Sequence, residues 1–249
     1  MAHIHCDCRS ESLDMITAIN VVLPENVDVH NAKVIYLFHG RADNCSGWYR
    51  FTNVERFARM KNLVLVTPEV QRSFYADMEM GINYFQYVSE ELPKLCQNMF
   101  NLSSKPENNY IMGLSMGGYG ALKCALTNPE RYAGVATFSA VTDMQKFVNT
   151  GEEKHKGEYA AIFGTDLKVP DCSDLWKLAE KVDPKTFPKV LTYCGEQDRL
   201  FDMNEAFSAM LKEKGFDTQF SHWEGDHNWI FWDKAVDLAI NAFFPDEVK

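Results

Sequence analysis

Residues 110–122 read YIMGLSMGGYGAL. Tyr110, Ile111 and Met112 suit a short apolar strand, the next residues a tight turn, and the segment from Tyr119 to Leu126 a helix free of proline until Pro129. Within it Gly113-Leu114-Ser115-Met116-Gly117 fits G-x-S-x-G, the sharp strand-to-helix elbow that lifts a serine hydroxyl clear of a sheet. Side chains two residues before and after the serine would collide across so tight a turn, so glycine fills both positions. The same turn leaves the Met116 amide aimed where an oxyanion would form.

Outward from the elbow, apolar strands and helices alternate. Lys33 to Phe38 (KVIYLF) reads as a central strand covered on both faces, Asn62 to Thr67 (NLVLVT) and Lys189 to Cys194 (KVLTYC) as buried strands, Tyr132 to Ser139 (YAGVATFS) as a further, small-residue-rich strand, and Thr218 to Trp223 (TQFSHW) as an alternating one. Helices are expected over Val54 to Lys61, Ile82 to Phe100 (long, with a kink at Pro93), Ser173 to Val182, Asn204 to Lys214 and Trp232 to Phe244. Met1 to Leu23 suits one or two antiparallel strands. The alternation predicts an α/β fold: a mostly parallel central sheet with helices on both faces, in a single domain over 1–249. The charged stretch 140–188 reads as a cap insertion after the sixth strand, over the carboxyl edge of the sheet, with His155 in solvent.

Composition narrows the function classes. The 249 residues carry a formal charge of −10, which argues against nucleic acid or an anionic membrane surface as partner. No apolar run approaches the ~18 residues of a membrane span. No basic stretch leading into an apolar one opens the chain, and seven cysteines lie scattered at 6, 8, 45, 96, 124, 172 and 194, so a reducing, cytoplasmic setting is expected. His3, His5, Cys6 and Cys8 alternate along one strand, which splits them between two faces and argues against a metal site.

Serine is a poor nucleophile unless a base takes its proton and an acid holds that base in one tautomer. With its elbow and this alternation the chain resembles the α/β-hydrolases, in which nucleophile, acid and histidine follow in that order, each on a loop after a strand. Ser115 is the nucleophile candidate. His227, after the Gly225-Asp226 turn, is preferred as base over His222 inside the predicted strand. Asp198 is the preferred acid, with Asp202 behind it and Glu196 a third candidate; Asp226 reads as a loop-shaping residue. The backbone N–H groups of Met116 and Arg41 are the oxyanion candidates, Arg41 because it stands at the carboxyl end of a central strand. His39 reads as a brace for that loop. Trp48, Phe74, Tyr75 and Trp176 are candidate pocket aromatics. The expected chemistry is acyl transfer to water on a small-molecule ester, with no cofactor or metal.

Longer stretches add a resemblance. YLFHGRADNCSGW (36–48), RSFYADM (72–78), YVSEELPKLCQ (87–97), GLSMGGYGALKCAL (113–126), CGEQDRLF (194–201) and EGDHNWIFWD (224–233) resemble the esterase D-like family, most closely its bacterial tributyrin esterases. The resemblance implies a carboxylesterase for short acyl chains, with Ser115, Asp198 and His227 on the triad positions. The family also holds feruloyl and acetylxylan esterases, and its members are often oligomeric, which leaves room for a homo-oligomer. S-formylglutathione hydrolases are cousins whose elbow reads GHSMGGHGAL; Leu114 and Tyr119 depart from it. A binding protein on a retired hydrolase scaffold is the rival from another class.

Overall fold

Alternate residues of the central strands point into two different cores, and this period of two places the sheet between two helical layers. The computed structural model describes residues 1–25 and 27–245; Asn26 and residues 246–249 of the expected 1–249 domain lie outside them. Among the described residues one sheet is built from β1 (Ala2–Ser10), β2 (Met15–Leu23), β3 (Val34–Phe38), β4 (Val64–Pro68), β5 (Asn109–Leu114), β6 (Gly134–Phe138), β7 (Lys189–Gly195) and β8 (Thr218–Trp223). Its order is β1-β2-β4-β3-β5-β6-β7-β8. The β1–β2 and β2–β4 pairs are antiparallel, and all pairs from β4 to β8 are parallel. This is an α/β-hydrolase fold.

The helices are α1 (Gly47–Phe51), α2 (Val54–Met60), α3 (Tyr84–Gln86), α4 (Leu92–Phe100), α5 (Met116–Thr127), α6 (Met144–Thr150), α7 (Lys156–Phe163), α8 (Leu175–Ala179), α9 (Phe201–Glu213) and α10 (Trp229–Phe243). Val34, Tyr36, Val66, Ile111, Val135 and Val190 pack toward one layer, with Leu122 of α5 and Phe207 of α9. Ile35, Leu37, Leu65, Met112, Ala136 and Leu191 pack toward the other, with Phe57 of α2 and Val236 of α10. Between β6 and β7 the chain forms α6, α7 and α8, a helical cap insertion where the charged stretch 140–188 was expected to lie.

The helix expected over Ile82 to Phe100 is interrupted. A π-helical turn, Tyr87–Glu91, separates α3 from α4, and the Leu92 amide reaches back five residues to the Tyr87 carbonyl. Pro93 has no N–H to offer the Ser89 carbonyl four residues earlier. That oxygen accepts instead from the Arg131 guanidinium, which also donates to Glu90 Oε1 at 2.7 Å. The cap helix expected from Ser173 starts later, at Leu175, because Asp174 accepts from the Trp176 and Lys177 amides.

One cation is held inside the core. Lys123 of α5 is 2% exposed; its Nζ donates to the Tyr75 carbonyl (3.3 Å) and Ser173 Oγ (3.1 Å) and stands 4.3 Å over the Phe85 ring. Burial lowers its pKa from 10.5 to about 8. Between those values the unfolded chain binds more protons than the folded one, so this residue's contribution to stability rises as pH climbs from about 8 to 10.5. Lys123→Met removes that term. Across this window the wild type should therefore gain on Lys123→Met by on the order of 3 kcal/mol. Paired urea melts at pH 7.5 and 10 check it; a stability difference that does not move with pH refutes it.

Candidate active site

The elbow forms where β5 runs into α5. Ser115 stands at φ 52° and ψ −115°, a left-handed backbone that side chains rarely adopt, and its amide is tied to the Phe138 carbonyl at 2.8 Å. A Cβ on Gly113 would lie 2.2 Å from the Gly117 carbonyl oxygen, and one on Gly117 2.4 Å from the Phe38 oxygen. Both glycines are thus required by close approach. Met116 opens α5, so its N–H is one of the four amides that the helix itself leaves without a partner.

Parallel register aligns the carboxyl ends of β3, β5, β6, β7 and β8, so the loops after them share one rim. Ser115 and His227 meet there. His227 Nε2 lies 3.1 Å from Ser115 Oγ, and its Nδ1 lies 2.8 Å from Asp198 Oδ2. An ionised carboxylate only accepts, so the ring proton sits on Nδ1 and Nε2 is free to accept from the serine hydroxyl. The ring is also braced edge-on by Trp232, at 4.9 Å between centroids.

Asp198 is buried at the turn between β7 and α9. Burial pushes its carboxyl up, but the His227 hydrogen bond and charge, the Ser139 hydroxyl and the Leu200 amide (2.9 Å) outweigh that and hold it below the usual carboxylate range. The other acid candidates do not reach His227: Glu196 accepts from the His222 ring at 2.9 Å, away from the serine. Asp202 stands in the first turn of α9 and lines the cavity. Asp226 takes the His227 amide on its own side chain at 2.7 Å and shapes the loop.

Ser139 was not among the sequence candidates. It follows β6 directly, has φ 52°, and its hydroxyl accepts from Trp232 Nε1 at 3.1 Å and helps hold the Asp198 carboxyl below the usual range. A polar residue at the carboxyl end of a central strand was the signal that could have found it. Asn204 was also missed; it is fully buried in α9, and its amide both accepts from and donates to the Ala140 backbone, fixing the helix behind Asp198 to the end of β6.

A cavity of about 960 Å³ opens over Ser115 and His227, between the rim and the cap. Phe74 lines it, as do Leu114, Phe147, Met203 and Trp229. The structure places the other three aromatic candidates outside. Trp48 is buried beneath the rim, donating to the Phe38 carbonyl at 3.0 Å. Tyr75 is buried, stacked on Phe38 with its hydroxyl on the His39 carbonyl. Trp176 packs on Phe207 under the cap. All three fill space between layers, which a large aromatic does whether or not a pocket is near.

Gly40 and Arg41 border the cavity beside the serine. His39 braces their loop from behind: the Val70 amide donates to its Nε2 at 3.2 Å, so Nδ1 carries the proton and gives it to the Gly40 carbonyl at 2.8 Å. Burial lowers the pKa of this histidine and keeps it neutral. His155, expected in solvent, is instead half-buried in the cavity wall against the Arg41 guanidinium. The charge run around it is folded back onto the rim by α7.

Comparison with known proteins shows the family. The family described as "Putative esterase" matches residues 10–241. An acetyl esterase of Caldicellulosiruptor saccharolyticus is 30% identical over 263 residues, covering 98% of this chain and 97% of that protein. A substrate-bound structure of FphF, a fluorophosphonate-binding serine hydrolase of Staphylococcus aureus, superposes with a TM-score of 0.90 at 31% identity, covering 98% and 99% of the two chains. The apoenzyme of an S-formylglutathione hydrolase (FrmB), also from Staphylococcus aureus, gives a TM-score of 0.86 at 31% identity over 98% of both chains. With this fold, and a serine, a histidine and a carboxylate in line at its rim, the chain belongs to the Putative esterase family and is a serine-type carboxylic ester hydrolase.

Proposed function

We propose that the protein hydrolyses esters of short acyl groups through an acyl-enzyme on Ser115. The observation that carries this is the hydrogen-bonded line Asp198–His227–Ser115 opening onto the cavity. His227 Nε2 takes the hydroxyl proton as Ser115 Oγ attacks the ester carbonyl. Asp198 holds the ring and stabilises the imidazolium that forms. The Met116 and Arg41 amides receive the oxyanion, where a lost donor costs about 10²–10³ in rate. His227 then protonates the leaving alcohol, and later activates a water that releases the acid. Every proton in this cycle moves between protein groups, substrate and water.

The likeness to an acetyl esterase, and the earlier resemblance to tributyrin esterases, support acetyl to butyryl as the acyl range. Leu114, Phe74 and Met203 supply apolar wall for it. A cytoplasmic setting is supported by the cysteines, all seven of which are free. A second reading, a thioesterase on S-formylglutathione, is favoured by the likeness to FrmB. A panel on purified protein decides: p-nitrophenyl esters from acetate to octanoate, methyl ferulate, acetylated xylan and S-formylglutathione. We expect kcat/KM to fall steeply beyond butyrate. Dominant turnover of the thioester selects the second reading, and no turnover of any ester by folded protein removes both.

A further inference from the structure

One cap carboxylate ties together two loops of the rim. Glu158, in the first turn of α7, accepts a two-pronged bond from Arg41, Nε to Oε1 at 2.8 Å and Nη2 to Oε2 at 2.6 Å. It also accepts from Arg72, Nε to Oε1 at 3.3 Å with a close Nη2 contact to Oε2. Arg41 Nη2 gives its second proton to His155 Nδ1 at 2.7 Å. Glu158 and Arg41 side chains are 19% and 22% exposed, so water competes little for this fork.

The two arginines do different jobs. Arg72 stands two residues before Phe74, on the loop after β4, and does not line the cavity. Arg41 sits two residues beyond His39 at the end of β3, next to the serine. Its backbone is already tight: the Gly40 carbonyl takes both the His39 ring and the Asp43 amide (3.2 Å), and a Cβ on Gly40 would lie 2.6 Å from the Leu114 side chain. Those two bonds set the plane of the Gly40–Arg41 peptide from the loop side, and the Arg41 N–H lies in that same plane. The planar two-pronged grip on the Arg41 side chain holds the same residue from the cap side, so that the peptide keeps its place as well as its tilt.

We infer that Glu158 is a positioning residue for the reaction: by gripping Arg41 it fixes the Arg41 amide over Ser115, so the cap sets the oxyanion side of the site. This rests on the reading of that amide as the second oxyanion donor. Burial pushes the Glu158 carboxyl up, but the Arg41 and Arg72 guanidinium groups outweigh that and hold it below the usual carboxylate range.

The test is steady-state kinetics on p-nitrophenyl acetate for Glu158→Gln, Arg41→Ala, their double variant and Arg72→Ala, with thermal melts of each. An amide that matters only once charge develops affects kcat and spares KM. Glu158→Gln and Arg41→Ala should each lose about tenfold in kcat with KM within about twofold, and the double variant should be no worse than either single one. Arg72→Ala should stay within about twofold of wild type. If Glu158→Gln fails to fold, Arg41→Lys, which keeps the charge but not the fork, carries the test with the same expected fall. Wild-type kcat in Glu158→Gln overturns the inference. So does a rise in KM alone, or a loss in Arg72→Ala as large as in Glu158→Gln, since either marks simple cap docking. Ser115→Ala, run alongside, separates the two claims: if it is dead while Glu158→Gln is unimpaired, only the clamp fails; if it still turns over, the proposed mechanism fails.

Discussion

Ser115→Ala should lose ester hydrolysis by about 10⁴–10⁶ in kcat, to the background left by binding and the oxyanion donors. The reason is local. Ser115 Oγ is the hydroxyl that the His227 ring reaches, 3.1 Å away, where both line the cavity. The variant should also fold as well as wild type or better. Alanine keeps the backbone that Gly113 and Gly117 make room for, and the hydroxyl contributes little to the core. A melting temperature within a few degrees of wild type, together with loss of labelling by a fluorophosphonate probe, distinguishes a missing nucleophile from a missing fold. Activity near wild type would remove Ser115 from the mechanism.

The second large effect belongs to the acid. Asp198→Asn should cost roughly 10⁴ in kcat, while Asp202→Asn stays within about threefold. An asparagine at 198 still fits, but its NH₂ group can face His227, in which case the ring accepts at Nδ1 and carries its proton on Nε2, the nitrogen that must take the serine proton. Asp202 lines the same cavity without touching the ring. Kinetics of both variants on p-nitrophenyl acetate separate them, and the reverse ranking reassigns the acid. Asp198 also favours the folded state. Its carboxyl is held below 3.8, so the stabilisation is present above that value and is lost as pH falls through the lowered folded value.

The parts of the site that follow from local geometry could be read from sequence. The elbow needs glycine at 113 and 117 because backbone meets backbone there, and that leaves a pattern of letters. The choice of His227 over His222 rested on position after a strand, and the structure puts His222 on an outer pair with Glu196. Contacts between distant segments left no such pattern. Ser139 touches Asp198 across 59 positions of chain, and Glu158 reaches Arg41 across 117. Neither has a neighbour that announces it. The pocket aromatics show the same limit: Phe74 and Tyr75 are adjacent in sequence, yet one lines the cavity and the other is sealed beneath the rim. Pro93 pointed to a disturbed helix, but the π-turn depends on Arg131 arriving from the far side of α5 to take the freed carbonyl.

The hydrogen-bonded line joins residues 112 positions apart, and His227, its proposed base, stands on the loop after β8. During synthesis the serine on its elbow is therefore made long before anything can deprotonate it. β5 and α5 can close on each other early, since they are adjacent, but β8 must pair beside β7 before His227 faces the nucleophile. On the proposed mechanism a nascent chain is thus an inert serine until the segment through His227 has been made and β8 has paired. On that mechanism reactivity is a late-arriving property of the finished topology, and a half-made molecule would not acylate itself or its neighbours.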